Sequence, residues 1–233
     1  MRSLIRELPY ERPLVGGLYL YRHGGMPAGV FERWRLSAAP DGYRFLRVDL
    51  NAEASEGEHS TLYHLVLNAD GEPERLSFRH FRRGRDLKGT LLFEGPYVTL
   101  TRQFNAERRE VTLEQPAGTR FWFPSAAALG LVAAPGAGPG LTLNREDDFN
   151  LWPTYLEVSS GPAATITVMG RPVAAQTLNV AWAGQRRAIA VDAEPWPLQV
   201  DRGELVAVET RRLHYQGRPG KKIVSEIGDD HGI

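Results

Sequence analysis

The strongest constraint on the fold is a two-residue alternation of apolar and polar side chains, interrupted by turn residues about every ten positions. In YRFLRVDLN (43–51), Leu46, Val48 and Leu50 share one face, while Arg47 and Asp49 take the other. TLYHLVLN (61–68) follows, and Asn68-Ala69-Asp70-Gly71 then supplies the positive-φ positions that a tight hairpin needs. ERLSFRHF (74–81) is the return strand, with Leu76, Phe78 and His80 on one side. KGTLLFE (88–94) and YVTLTRQF (97–104) flank Gly95-Pro96, and RREVTLEQ (108–115) and TRFWFP (119–124) continue the series. The spacing predicts an antiparallel meander over 43–124.

The middle of the chain breaks the pattern. SAAALGLVA (125–133) reads as a short helix with Ser125 at its N-cap. APGAGPG (134–140) is too rich in Gly and Pro for an element and predicts a mobile loop. Strands then resume in LTLNRE, WPTYLEV (152–158), ATITVMG (164–170), VAAQTLNVAW (173–182), QRRAIAVD (185–192) and LQVDRGELVAVETRRLHY (198–215). Ser159-Ser160-Gly161-Pro162 reads as a turn, and Asp201-Arg202-Gly203 turns the last hairpin. Near the start, LYLYRHGG (18–25) reads as a strand ended by Gly24-Gly25, with Tyr19, Tyr21 and His23 on one face. The predicted class is all-β and mainly antiparallel: a curved sheet or half-barrel with one short helix as plug or lid. Residues 1–215 form one β domain of two meanders joined through 125–140. Residues 216–233 are a polar tail that frays, or that adds Ile223–Ile227 as an edge strand.

Several function classes are disfavoured. The chain has no cysteine, which removes disulfides and thiolate metal sites. Its 28 basic and 28 acidic residues cancel, so a nucleic-acid surface is not expected from the overall charge. The basic run with Arg75, Arg79, Arg82, Arg83, Arg85 and Lys88 surrounds Gly84 and reads as a solvated hairpin tip. No apolar run is long enough for a transmembrane helix. Charges in MRSLIRELPYERPL interrupt any secretory apolar region, so the expected address is cytoplasmic. The histidines make no metal-binding pair at helical spacing, and neither a Gly-rich phosphate loop nor a Gly-x-Ser-x-Gly elbow is present. No metal and no cofactor is therefore expected. Arg22-His23-Gly24 after a strand resembles the opening of the histidine phosphatase superfamily, but the long helices and second histidine of that fold have no counterpart here. His64 and His80 are the acid/base candidates, and they come within reach of each other if His64 pairs with or near Phe78.

A second resemblance covers residues 31–215. FERWRL (31–36), a long meander, a short helix with a small-residue loop, and a second meander are similar to bacterial half-barrel proteins of the lipoprotein-carrier (LolA-type) and glycolipid-binding group. The matching positions are Val168, Gly170, Asp192, Val200 and Gly203. The resemblance implies a curved sheet around a plug, enclosing an apolar cavity. The first reading is therefore non-enzymatic binding of a lipid-like or other apolar ligand. Trp122, Phe123, Trp152 and Leu129 would line the cavity, and Arg79 or Arg82 would face an anionic headgroup at its mouth. APGAGPG would be the hinge of the lid. The second reading is a barrel enzyme (isomerase, cyclase or hydrolase) using His64 or His80. The third is a structural or interaction domain with a filled core. A homodimer through the free edge of VAAQTLNVAW is open on this reading.

Overall fold

The alternation becomes strands almost everywhere in the computed structural model, which describes residues 8–55 and 58–215. β1 (Arg12–His23) and β2 (Met26–Ala38) form a hairpin over Gly24 and Gly25, both at positive φ. β3 (Arg44–Ala52), β4 (His59–Leu67), β5 (Pro73–Arg82), β6 (Arg85–Glu94), β7 (Tyr97–Phe104) and β8 (Glu107–Glu114) continue as an antiparallel meander. β9 (Arg120–Phe121) leads into a 3-10 helix over Ala127–Val132, the plug. β10 (Gly136–Asn144), β11 (Asn150–Val168), β12 (Arg171–Trp182), β13 (Gln185–Val191), β14 (Pro197–Asp201) and β15 (Leu205–His214) complete the chain. β15 pairs with β1, so both meanders belong to a single 15-stranded sheet, ordered β8 to β1 and then β15 to β9. Among the described residues only the β9–β10 pair is parallel. The two ends of the sheet, β8 and β9, are neighbours in the chain, yet no ladder joins them among the described residues. The fold is an open, curled, all-β sheet, as the alternation predicted.

Several local expectations are corrected. VAAQTLNVAW is not a free edge, since β12 is paired with β11 on one side and β13 on the other. APGAGPG is not a loop or a hinge: β10 runs through most of it and pairs with β11 along its whole length. Small residues are required there because a Cβ on Gly140 would meet the Trp122 ring at 2.9 Å and Leu156 at 3.0 Å. Pro139 pairs with Tyr155 on one side and has no strand partner on the other, since β9 reaches only Gly140 and Leu141. Ser159-Ser160-Gly161-Pro162 is not a turn either. β11 passes straight through it, with a bulge between Ser160 and Ala163 against β12. The helix is a single stretch of 3-10 rather than α, although Ser125 does accept the Ala128 N–H at 2.8 Å. TRFWFP shortens to the two residues of β9. The predicted tail, 216–233, lies outside the described residues.

The plug segment separates two sets of rings. Phe121 packs on Phe93 of β6 (4.9 Å between centroids) and Phe123 on Tyr63 of β4 (4.5 Å). Between them, Trp122 turns the other way, edge-on to Trp182 of β12 (5.4 Å). Residues 140–143 are buried as a continuous run, one face against each set. Glu32 of β2 fixes the plug from the sheet side. It is fully buried and accepts hydrogen bonds from the N–H groups of Ala126 (2.9 Å) and Ala127 (2.8 Å) and from the Tyr21 hydroxyl (2.7 Å).

Gly89 shows how tightly the first half is packed. A Cβ there would lie 2.1 Å from the Phe78 ring, which itself stacks on Phe149 at 5.0 Å. Gly89→Ala is expected to lower stability by about 2–3 kcal/mol through overpacking. Adding Phe78→Leu should recover part of that loss, as read from urea melts of both single variants and the double. An additive double variant would show that the two sites do not touch.

Candidate functional site

A cavity of about 150 Å³ lies inside the second half of the sheet, beneath the plug. Trp122, Phe123 and Leu129 come from the plug segment, Trp152 from β11 and Trp182 from β12. The register explains their convergence. Thr142 pairs with Trp152, Leu156 with Trp182, and Val180 with Arg187, so all of these side chains share the inner face. Arg145 and Glu146 sit at the mouth, in a short turn between β10 and β11. Arg187 of β13, and Arg202 just after β14, complete the polar part of the lining together with Gln185.

The four residues expected to line a cavity, Trp122, Phe123, Leu129 and Trp152, are brought together here. Arg79 and Arg82 are not. Arg79 is held by Asp86 (2.5 Å) and lies over the Phe81 ring (4.4 Å). Arg82 faces Arg85 at the exposed β5–β6 tip, where Arg83 pairs with Glu58. The arginines at the cavity are Arg145, Arg187 and Arg202. Two of them carried a signal in the alternation. Arg187 falls in register with Ile189 and Val191, and Arg202 with Val200, so each is a cation on an apolar face. Glu32 carries the same signal beside Trp34 and Leu36.

His64 and His80 do not meet. His64 pairs with Ser77, and His80 pairs with Thr61, so the two rings lie on opposite faces of the sheet. On the outer face, His64 tilts against Phe45 (5.9 Å), and its Nε2 is buried without a hydrogen-bond partner. Burial, aided by nearby Arg47, pushes its pKa down to about 4. On the inner face, His80 shares a hydrogen bond between Nδ1 and Thr61 Oγ1 (2.8 Å) and packs on Phe149 (4.9 Å). Burial and the positive field of Arg145 lower it to about 4 as well. Both lowered values favour the neutral ring at pH 7; Glu11, the carboxylate that acts on His64, is already held by Arg47, and the charges that act on His80 are all positive or histidine. Among the described residues no group of three His, Asp or Glu side chains has the arrangement of a metal site.

Two buried ion clusters are structural. On the outer face, Glu11 takes a two-pronged bond from Arg47 (2.6 Å on each nitrogen) and a third from Ser37 (2.7 Å). Burial would raise Glu11, but these donors outweigh it and hold the carboxyl below its usual range. At the far end of the interior, Arg212 serves Glu209 (2.9 Å), Asp192 (3.1 Å) and Glu194 (3.3 Å), beside the Trp34–Trp196 ring pair (4.7 Å). Glu209 is pushed up to about 7, because burial outweighs its share of a single guanidinium.

The chain matches no protein-family model and no curated protein. It is similar in fold to the crystal structure of a β-barrel-like protein of a domain of unknown function (DUF1849) from Brucella abortus. The likeness covers 88% of this chain and 99% of that one at 12% identity, with a TM-score of 0.54. Among the described residues no helix is long and apolar enough to cross a membrane.

Proposed function

We propose that this barrel-like domain is a non-enzymatic binding module whose site is the tryptophan-lined cavity. The observation that carries the reading is a hollow, open at its mouth, in an otherwise packed interior. Tyr19, Tyr63, Phe123 and Phe149 are all essentially inaccessible, yet about 150 Å³ stays open among Trp122, Trp152, Trp182 and Leu129. A cavity of this order holds one benzene-sized group. The ligand is therefore an apolar group of ring size, or the end of a longer chain, and not a whole lipid. The resemblance to lipoprotein-carrier and glycolipid-binding half-barrels supports a ligand of this apolar kind, scaled down to the space available. The packed remainder of the interior favours a second reading, an interaction domain with a filled core. An enzyme using His64 and His80 together has no supporting geometry, because the rings are on opposite faces.

Native mass spectrometry of protein purified without detergent, followed by solvent extraction, tests the proposal. The expected result is an extractable apolar mass above the 26.0 kDa chain. Toluene added to extracted protein should shift the tryptophan emission, and Leu129→Phe, which fills the cavity from the plug, should remove the shift. A bare chain whose emission ignores ring-sized probes would favour the filled-core reading instead.

A further inference from the structure

Resting on that reading of the cavity, we propose that Arg145, Arg187 and Arg202 form an oxyanion-binding rim, so that the ligand is an amphipathic anion. Its apolar, ring-sized part occupies the tryptophan cavity, and its carboxylate, sulfonate or phosphate meets the three guanidinium groups.

What sets these three apart is that they line the cavity and have no carboxylate ion pair there. Arg47, Arg79, Arg83, Arg108, Arg109 and Arg212 each hold a carboxylate. No carboxylate among the described residues forms an ion pair with Arg145, Arg187 or Arg202. Glu146 is the single acid of the lining, so three cations stand against one anion around the hollow. Arg202 Nε is buried and finds no partner in the protein. Burying such a donor unpaired is costly, and a ligand oxygen would relieve the cost.

The register crowds the charges further. Ala188 pairs with Asp201, so the next cross-strand neighbours are Arg187 and Arg202, two like charges facing each other. Their guanidinium groups are nonetheless held in place by aromatic faces. Arg187 lies 5.4 Å from the Trp182 centroid and Arg202 5.3 Å from that of Tyr21. Arg187 also donates to Gln185 Oε1 (3.0 Å) and to the Arg186 carbonyl (2.6 Å). Burial and the neighbouring Arg202 lower the pKa of Arg187, the sign of a cation in need of a counter-charge. Asp201, the nearest acid in sequence, offsets part of this at a distance, but it forms no ion pair with either arginine and its Oδ1 accepts the Gly203 N–H (2.7 Å). Planar guanidinium forks suit an oxyanion better than a single point charge would.

Binding of four probes to the full chain, followed by calorimetry and tryptophan emission in an oxyanion-free buffer, tests the assignment. The probes are phenyl phosphate, benzoate, toluene and inorganic phosphate. At least one aryl oxyanion is expected to bind about tenfold or more tightly than toluene and than inorganic phosphate. Whichever of phenyl phosphate and benzoate binds better identifies the oxyanion. Arg202→Gln, and the exposed and structurally mild Arg145→Gln, should each erase about tenfold of that affinity and leave toluene binding unchanged. Toluene binding as tightly as both aryl anions would overturn the arginine rim while leaving the cavity reading intact. Failure of all four probes would remove the cavity reading and this inference with it. Inorganic phosphate binding as well as phenyl phosphate, and unaffected by Leu129→Phe, would show an anion site independent of the cavity and end the amphipathic assignment.

Discussion

Glu32→Ala is expected to lower the unfolding free energy by about 3–5 kcal/mol, the range for stripping one partner from a buried charged network. The reason is what the substitution leaves behind. Glu32 is fully buried, and its carboxylate serves two backbone N–H groups at the start of the plug and the hydroxyl of Tyr21. Alanine would orphan all three donors and open a void under Ala126–Ala128, where the chain has no slack. Glu32→Gln keeps the volume but turns one acceptor oxygen into a donor that faces an N–H, so it should cost nearly as much. Tyr21→Phe removes one donor and leaves the carboxylate its two backbone partners. It should therefore cost only about 1 kcal/mol. Guanidinium melts of the three variants check the order. A Glu32→Gln variant as stable as the parent would mean that charge and acceptor geometry at this carboxylate do not matter. The plug would then be held by its rings alone. Because the same segment supplies Trp122, Phe123 and Leu129 to the cavity, Glu32→Ala should also blur any ring-probe signal there.

What was readable in the sequence, and what was not, follows from how local each cause is. An antiparallel sheet with one buried face writes its period into every strand, so the meander, the Gly24-Gly25 turn and the Asp201–Gly203 turn were legible. β10 was not, because its Gly and Pro residues answer to Trp122 and to β11, both distant in the chain. The histidine geometry turned on one bulge. Leu67 pairs with Pro73, and without the shift between Val66 and Leu67 that register would set His64 opposite Leu76, on the face of His80. The bulge slips β5 by one residue against β4 and puts His80 on the face opposite His64, and nothing in TLYHLVLN announces it. The cavity aromatics were visible as large rings near the plug. Arg187 and Arg202 were legible by parity but lay far from the arginine-dense stretch that drew attention to Arg79 and Arg82. Arg145 depends on the turn after β10, which only the fold defines.

The same two histidines set the second large expectation, a loss of stability in mild acid. Each has an ordinary pKa of 6.5 that burial lowers to about 4 in the folded protein. Between those values the unfolded chain binds more protons than the folded one, so stability rises with pH across the window and is lost as pH falls from 6.5 to 4. Allowing for the water that still reaches both rings, each contributes about 2 kcal/mol. Glu209 works in the opposite sense. Its pKa is raised from 4.5 to about 7, so the folded protein is the one that holds the extra proton, and its contribution declines as pH climbs through that interval. At about 2 kcal/mol it offsets one histidine. The net expectation is a fall of about 2 kcal/mol from pH 6.5 to pH 4, measured by urea melts at fixed ionic strength. Variants separate the parts. His64→Gln and His80→Gln should each flatten the slope, whereas Glu209→Gln, which fixes the neutral form, should steepen it. His80 is the sharper test, because its lowering also draws on Arg145 at the cavity mouth. An anion seated on that arginine would weaken the repulsion and raise His80 towards its ordinary value, so a bound aryl oxyanion should remove part of the acid loss. A His80 titration, followed by the ring protons in nuclear magnetic resonance, that stays put when the anion is added would separate the mouth from the ring. In that case the slope reports burial alone.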